Sequence, residues 1–318
     1  MKKKRRLKKG VEKIFLAIVI GIILFIWIIS SIVKRINYTH SYEYKLLKIG
    51  YSKQEVEVID KLNNKQKDSL LNKKYNKLYV KLIKQKYFIF KNLDKYVKYY
   101  IDNDSDDLAY TISIVNVKAN EEQYDKDIVK KTNTSKDILM LVNKYNYLDK
   151  DSTPKDLVDV KNYYAYGENK IRQEVYDNFL NMWTDAKKEE LSLIITSAYR
   201  DYDYQKSLWD MYSNQKGDAW ADSIAARAGY SEHQTGLALD IVTYGSNMDT
   251  FENTDEFKWL SENAYKYGFI LRYPKGKEKL TGYSYESWHY RYVGKEVAKK
   301  IHDLDITYDE YYAYFIEK

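Results

Sequence analysis

The sequence predicts a compact α+β domain in its C-terminal part, carried behind a mainly helical segment and one membrane-spanning helix. Three observations predict this. Residues 14–33 form a twenty-residue stretch without a charge. Residues 36–135 repeat their apolar positions mostly at helical spacing. From about residue 136, short apolar runs alternate with amphipathic ones, and the whole chain holds only 2 prolines. The spans expected are a basic tail over 1–13, a transmembrane helix over 14–33, a mainly helical stalk or module over 34–135, and the α+β domain over 136–318.

Composition narrows the function classes. The 318 residues carry a formal charge of +7, but residues 1–35 alone hold ten basic side chains against the single acid Glu12. The remainder is therefore slightly acidic. A nucleic-acid binder needs its basic excess on the folded surface, so nucleic acid is set aside as a partner. Hydrophobic residues at 44% and charged residues at 31% suit a folded chain. The absence of cysteine removes disulfide scaffolds, thiolate metal sites and cysteine nucleophiles.

The apolar stretch reads IFLAIVIGIILFIWIISSIV. At about 1.5 Å per residue, a twenty-residue helix spans roughly 30 Å, the hydrocarbon thickness of a bilayer. The KKKRRLKK run before it, against only Lys34 and Arg35 after it, puts the N-terminus in the cytoplasm and the rest outside the cell. A cleaved signal peptide is the alternative, but the run exceeds the usual apolar core and no A-x-A-like site follows.

Beyond it, Gly50 is placed to end one helix, and Ser52 with Glu55 forms a capping box opening the next. Tyr75, Leu78, Tyr79, Leu82 and Ile83, then Leu93, Val97, Tyr100 and Ile101, continue the helical spacing. The β-branched run Tyr110–Val115 predicts a strand. No chemical constellation stands out before residue 136.

In the C-terminal part, Ile171, Val175, Phe179 and Trp183 give one apolar helix face. Leu191–Ser197 predicts a buried strand. Asp201 caps a helix carrying Gln205, and another helix is expected to end at Gly229. Leu237–Thr243, Phe269–Arg272 and Trp288–Val293 predict further strands. Thr254 and Gly268 bracket a helix, and Thr307 with Glu310 forms a capping box before the last one.

Only 4 histidines occur, and two stand in dense motifs: Ser231-Glu232-His233-Gln234-Thr235-Gly236-Leu237-Ala238-Leu239-Asp240 and Glu286-Ser287-Trp288-His289. Asp240 lies in an otherwise apolar strand, where a carboxylate is costly to bury unless it meets a cation or metal. His233, Asp240 and His289 make a three-ligand zinc set that leaves a fourth position for water. Zinc would lower the pKa of such a water to about 7. Glu286, three residues before His289, is the natural general base. His40 and His302 lack such company and read as ordinary residues. Trp288 reads as packing that fixes His289. Ser213-Asn214-Gln215-Lys216 matches the S-x-x-K of serine carboxypeptidases, but no S-D-N or K-T-G partner accompanies it.

The pattern S-x-H-x-x-G-x-A-x-D followed by E-x-W-H resembles the VanY-type D-alanyl-D-alanine carboxypeptidases of the LAS-type zinc peptidases. Ser197-Ala198-Tyr199-Arg200-Asp201, with Gln205 beyond it, and the stretch from Asp137 to Val158 are similar to the same family. The resemblance covers residues 136–318 and says nothing about 36–135. It implies a compact zinc-peptidase domain with a small antiparallel sheet and flanking helices. It implies one Zn²⁺ held by His233, Asp240 and His289, with Glu286 as catalytic base. It also implies that Arg200 polarises the scissile carbonyl or holds a substrate carboxylate, and a guanidinium fork suits either task. Ser231 and Gln205 would be substrate-binding residues by position. Arg272 and Tyr273 precede the second motif and are candidates for the same pocket.

The function expected is a membrane-anchored zinc D,D-carboxypeptidase. It would remove the terminal D-Ala from peptidoglycan stem peptides by metal-hydroxide attack, outside the cell. The alternatives are an L,D-carboxypeptidase on tetrapeptide stems, a dipeptidase for free D-Ala-D-Ala, and a non-enzymatic wall-binding scaffold.

Overall fold

The computed structural model describes residues 9–317. Most of the expected basic tail therefore lies outside the described residues. The chain divides into two compact units between Leu93 and Asp94.

The N-terminal unit is helical. Helix α1 runs Lys9–His40 and contains the expected apolar span. Its stretch Gly10–His40 is long and apolar enough to cross a membrane, and its most apolar part is unburied. Four short helices follow: α2 (Tyr42–Ile49), α3 (Lys53–Ile59), α4 (Asn64–Leu71) and α5 (Lys77–Ile83). Gly50 ends α2 at φ 119°, a backbone conformation that a β-carbon would strain. The Ser52–Glu55 capping box is formed, each side chain accepting from the other's backbone N–H. Leu46, Ile59, Leu70 and Leu82 are fully buried within this unit. Tyr51 and Tyr75 meet edge to face at 4.9 Å, and Tyr75 donates to Glu55.

The C-terminal unit begins well before the expected boundary at residue 136. It includes most of α6 (Leu93–Asp102) and α7 (Leu108–Asn116). Here the expected strand at Tyr110–Val115 is a helix. Asp107 caps it, accepting from the Tyr110 N–H at 2.9 Å. Thr111, Ile112, Ile114 and Val115 are buried by packing that overrides their β preference. Ser113 meets the Tyr314 hydroxyl at 2.7 Å, and Lys279 donates to Tyr99 at 3.0 Å, tying both helices to later parts of the same unit.

Two small ribbons come next. Strand β1 (Lys130–Lys131) pairs with β2 (Asn146–Tyr147), and β3 (Leu157–Asp159) pairs with β4 (Lys170–Arg172). Helix α8 (Gln173–Lys188) follows β4, so Ile171 belongs to the strand rather than the helix. The main sheet has four antiparallel strands in the order β5 (Ile194–Ser197), β6 (Ala238–Val242), β8 (His289–Tyr292) and β7 (Phe269–Leu271). Helices α9 (Tyr202–Lys216) and α10 (Asp218–Ile224) separate β5 from β6. Helix α10 stops five residues short of the expected Gly229, which instead makes a turn at φ 86°. A β-carbon on Gly229 would meet the Leu148 carbonyl at 2.9 Å. Helix α11 (Asp255–Asn263) precedes β7, and α12 (Glu278–Thr281) lies between β7 and β8. Helices α13 (Lys295–Leu304) and α14 (Tyr308–Tyr311) close the unit, the latter opened by the Thr307–Glu310 capping box.

Strand alternation sorts the two faces of the sheet. Leu239, Ile241 and Tyr290 enter one apolar cluster with Val175, Phe179 and Met182 of α8. Asp240 and His289, next to them in sequence, therefore face the opposite side.

Candidate metal centre and active site

Strand register creates the centre of the site. Asp240 of β6 pairs directly with His289 of β8 across the sheet, and Ser197 of β5 pairs with Asp240 on its other flank. A bulge between Ile195 and Ser197 lets the chain leave β5 towards Arg200. His233 comes from the short helical turn Glu232–Thr235 before β6. Ser231 caps that turn by accepting from the His233 N–H at 3.3 Å. Gly236 ends it at φ 65°, where a β-carbon would meet Arg172 Cγ at 2.9 Å.

His233, Asp240 and His289 each offer one ligand atom, and these atoms lie within 4.8 Å of one another. All three residues are buried. His233 Nε2 is 3.4 Å from Asp240 Oδ2, and His289 Nδ1 is 3.0 Å from Asp240 Oδ1. His233 Nδ1 lies 2.5 Å from the Ala198 carbonyl, which can only accept. The ring proton therefore sits on Nδ1, and the lone pair on Nε2 faces Asp240. That Nε2 is buried without a hydrogen-bond partner among the described residues. An orphaned imidazole nitrogen beside a carboxylate and a second imidazole fits a zinc ligand set.

Burial and mutual contacts set the charge of each group. Burial disfavours charge on Asp240, but His233 and His289 outweigh it and hold the carboxyl well below the usual range. Burial and the nearby Arg200 push His233 down to about 4, keeping it neutral. Burial would lower His289 too, yet its contacts with Asp240 and Glu232 raise it to about 9. Burial pushes Glu286 up to about 7 against the pull of His289. Asp240 is thus held ionised at the point where the three ligand atoms converge.

The remaining expected residues gather around a cleft of about 350 Å³ lined by Arg200, Gln205, Ser231, Tyr273 and Glu286 together with the three ligand candidates. Glu286 Oε2 is 3.8 Å from His289 Nδ1. Arg200 Nη2 is 3.9 Å from Asp240 Oδ2, and its Nε has no hydrogen-bond partner among the described residues. Gln205 is buried and donates to the Ala226 carbonyl at 2.7 Å, so it shapes the wall of the cleft. The Tyr273 ring lies 4.9 Å from that of His289. Trp288 packs against the core and also lines the cleft, so it does more than the packing expected of it.

Arg272 does not line the cleft. It is fully buried and bound to Glu232 and Asp309. His302 stacks on Tyr265, away from the site, and His40 ends α1. Sequence reading missed Glu232, which lies next to His233 in the motif yet is buried beside His289, with Oε2 3.6 Å from His289 Nε2. An acid flanking a ligand histidine was a visible signal, but its arginine partners are remote in sequence.

Comparison with known proteins falls on the same residues. The model of the family described as VanY: D-alanyl-D-alanine carboxypeptidase matches residues 168–295, which contain all five of His233, Asp240, His289, Glu286 and Arg200. YodJ of Bacillus subtilis (strain 168), a carboxypeptidase by name, is 43% identical over 204 residues, 60% of this chain and 75% of its own. A D-alanyl-D-alanine carboxypeptidase of Enterococcus faecium is 37% identical over 189 residues, 57% of this chain and 59% of its own. Among solved structures, the LdcB LD-carboxypeptidase is 42% identical with a TM-score of 0.56, covering 61% of this chain and 94% of that one. By these matches this enzyme, a zinc metallopeptidase, belongs to the VanY family of D-alanyl-D-alanine carboxypeptidases.

Proposed function

We propose that the enzyme is a D,D-carboxypeptidase that releases the terminal D-Ala of peptidoglycan stem peptides. The observation that carries this reading is the convergence of His233, Asp240, His289, Glu286 and Arg200 on one cleft. His233 Nε2, an Asp240 oxygen and His289 Nδ1 would hold the zinc. When bound there, zinc supplies Lewis acidity and brings a water towards neutral pKa.

The chain's own groups do the rest. Glu286, buried and raised to about 7, takes the proton of the attacking water and returns it to the departing D-Ala amine. Peptide-bond cleavage then leaves one new carboxylate and one free amino acid. Arg200 fixes the substrate's C-terminal carboxylate or stabilises the oxyanion that forms on the scissile carbonyl. Ser231 holds the His233 turn, Gln205 braces the Ala226 wall, and Tyr273 packs the His289 ring.

A second reading is supported by the LdcB relative, named an LD-carboxypeptidase. Both reactions release D-Ala from a stem peptide and differ in the residue before the cut bond. Incubating the enzyme with penta- and tetrapeptide stems, with and without chelator, and weighing the products separates them. The D,D reading expects a loss of one alanine from the pentapeptide. An intact pentapeptide beside a shortened tetrapeptide gives the enzyme to the L,D reaction.

The exposed apolar surface of α1 supports membrane anchoring, with the basic residues before it on the cytoplasmic side and the catalytic unit outside. Residues 34–135 would then lie on the outer side, with α2–α5 as a helical stalk and the rest continuing into the catalytic unit.

A further inference from the structure

Behind the ligand cluster lies a buried charge network that the proposed reaction does not use. Glu232 Oε1 accepts from Arg272 Nε and from Arg291 Nη1, both at 2.8 Å. Arg272 also donates to Asp309 at 2.6 and 3.3 Å. Arg291 also donates from Nε to the Tyr292 carbonyl and from Nη2 to the carbonyls of Ile138 and Met140. Two guanidiniums face two carboxylates, so the network is neutral as a whole. All four side chains are buried.

One acceptor is left over. Glu232 Oε2 is buried and has no hydrogen-bond partner among the described residues, and the same holds for His289 Nε2. These two atoms face each other at 3.6 Å. That is a few tenths of an ångström beyond a hydrogen bond. A buried acceptor opposite a buried ring nitrogen, both otherwise unsatisfied, is a pair built to close.

We infer that Glu232 is a positioning residue: it takes the Nε2–H of His289 and so fixes the tautomer that presents Nδ1 to the metal. An imidazole that ligates a metal carries one proton, so a proton held on Nε2 leaves the Nδ1 lone pair free. A carboxylate already clamped by two arginines can offer His289 only an acceptor. His233 is the mirror case, with Nδ1–H given to the Ala198 carbonyl and Nε2 left free. The two histidines would thus bind through opposite nitrogens, each set by a different acceptor. Outer acceptors of this kind orient metal-bound histidines and stiffen the site. Asp309 of α14 binds Arg272 and stands one contact further from His289 than Glu232 does.

The inference rests on His289 being a zinc ligand, and the test separates the two claims. Zinc affinity is measured by competition with a chromophoric chelator on the wild type, Glu232→Gln and Asp309→Asn. The Gln variant keeps the shape but can turn an N–H towards His289. It should bind zinc about 10–100-fold more weakly. Asp309→Asn loosens the same network without altering Glu232 Oε2, so its melting temperature should fall while its zinc affinity stays near wild type. Unchanged affinity in Glu232→Gln, or an equal loss in Asp309→Asn, overturns the assignment. Should Glu232→Gln fail to fold, ¹⁵N-histidine NMR of the zinc-loaded wild type decides, with His289→Gln used to assign the signals. Zinc on Nδ1 and a proton on Nε2 of His289, reversed in His233, is the expected pattern. Zinc on Nε2 of His289 refutes the proposal, whereas a wild type that takes up no zinc removes the metal site itself.

Discussion

Glu286 and Arg200 approach the same cluster, and substitution separates the tasks proposed for them. Glu286→Gln keeps the side chain's size and removes its basicity. It should retain zinc and lose turnover by about 10²–10⁴-fold, checked by parallel metal analysis and D-Ala release. Loss of zinc together with activity would make Glu286 a ligand instead. Arg200→Lys keeps the charge and removes the planar fork, so kcat/KM should fall by on the order of 10–10³-fold. The split reports the role: a rise in KM alone marks the substrate carboxylate, and a fall in kcat marks the oxyanion. These two residues were legible in the sequence because each sits in a compact motif. Glu232 was not, although it is adjacent to His233. Its partners Arg272 and Arg291 reach it only after β7 and β8 have packed.

At the scale of elements, the site depends on how β6 begins. The Glu232–Thr235 turn must reverse at Gly236 so that His233 and Asp240 face one cleft. Gly236→Ala would place a β-carbon at positive φ and within 2.9 Å of Arg172 Cγ. It should cost about 1–3 kcal/mol of stability and weaken zinc binding, measured by denaturant unfolding with and without metal. An alanine variant as stable as wild type would show that the turn relaxes freely. Capping boxes at Ser52 and Thr307 and the strand cores around Ile195, Leu239 and Phe269 could be read directly, since their signals are local. Helix α7 could not. Its β-branched run reads as a strand, and only Asp107 at its start and burial of Ile112 and Val115 against the rest of the unit make it a helix. Asp107→Ala should therefore destabilise the C-terminal unit by about 1 kcal/mol while leaving zinc affinity unchanged. A drop in affinity would tie α7 to the site.

For the whole molecule, charge and fold divide at the same place. Residues 36–93 carry 13 lysines against 5 acidic residues, whereas residues 94–318 hold 30 basic and 40 acidic ones. Every residue placed in the cleft or its supporting network lies in the acidic C-terminal unit, which starts at Asp94. The proposed chemistry and the proposed membrane attachment therefore fall on different parts of the chain. Removing residues 1–35 takes away most of α1 and its flanking positive charge. The protein that remains should move from the membrane fraction to the soluble one, with D-Ala release per mole of zinc unchanged. Fractionation of cells, followed by the stem-peptide assay on each fraction, checks both halves of this expectation. N-terminal sequencing of the full-length protein recovered from membranes adds the decisive contrast. An intact apolar stretch is what a permanent anchor requires, because the helix must stay in the bilayer to hold the enzyme there. A mature chain beginning beyond residue 33 would instead make that stretch an export signal. A truncated protein that is soluble but inactive would mean that the helical N-terminal region contributes to catalysis, in spite of its distance in sequence from every residue of the cleft.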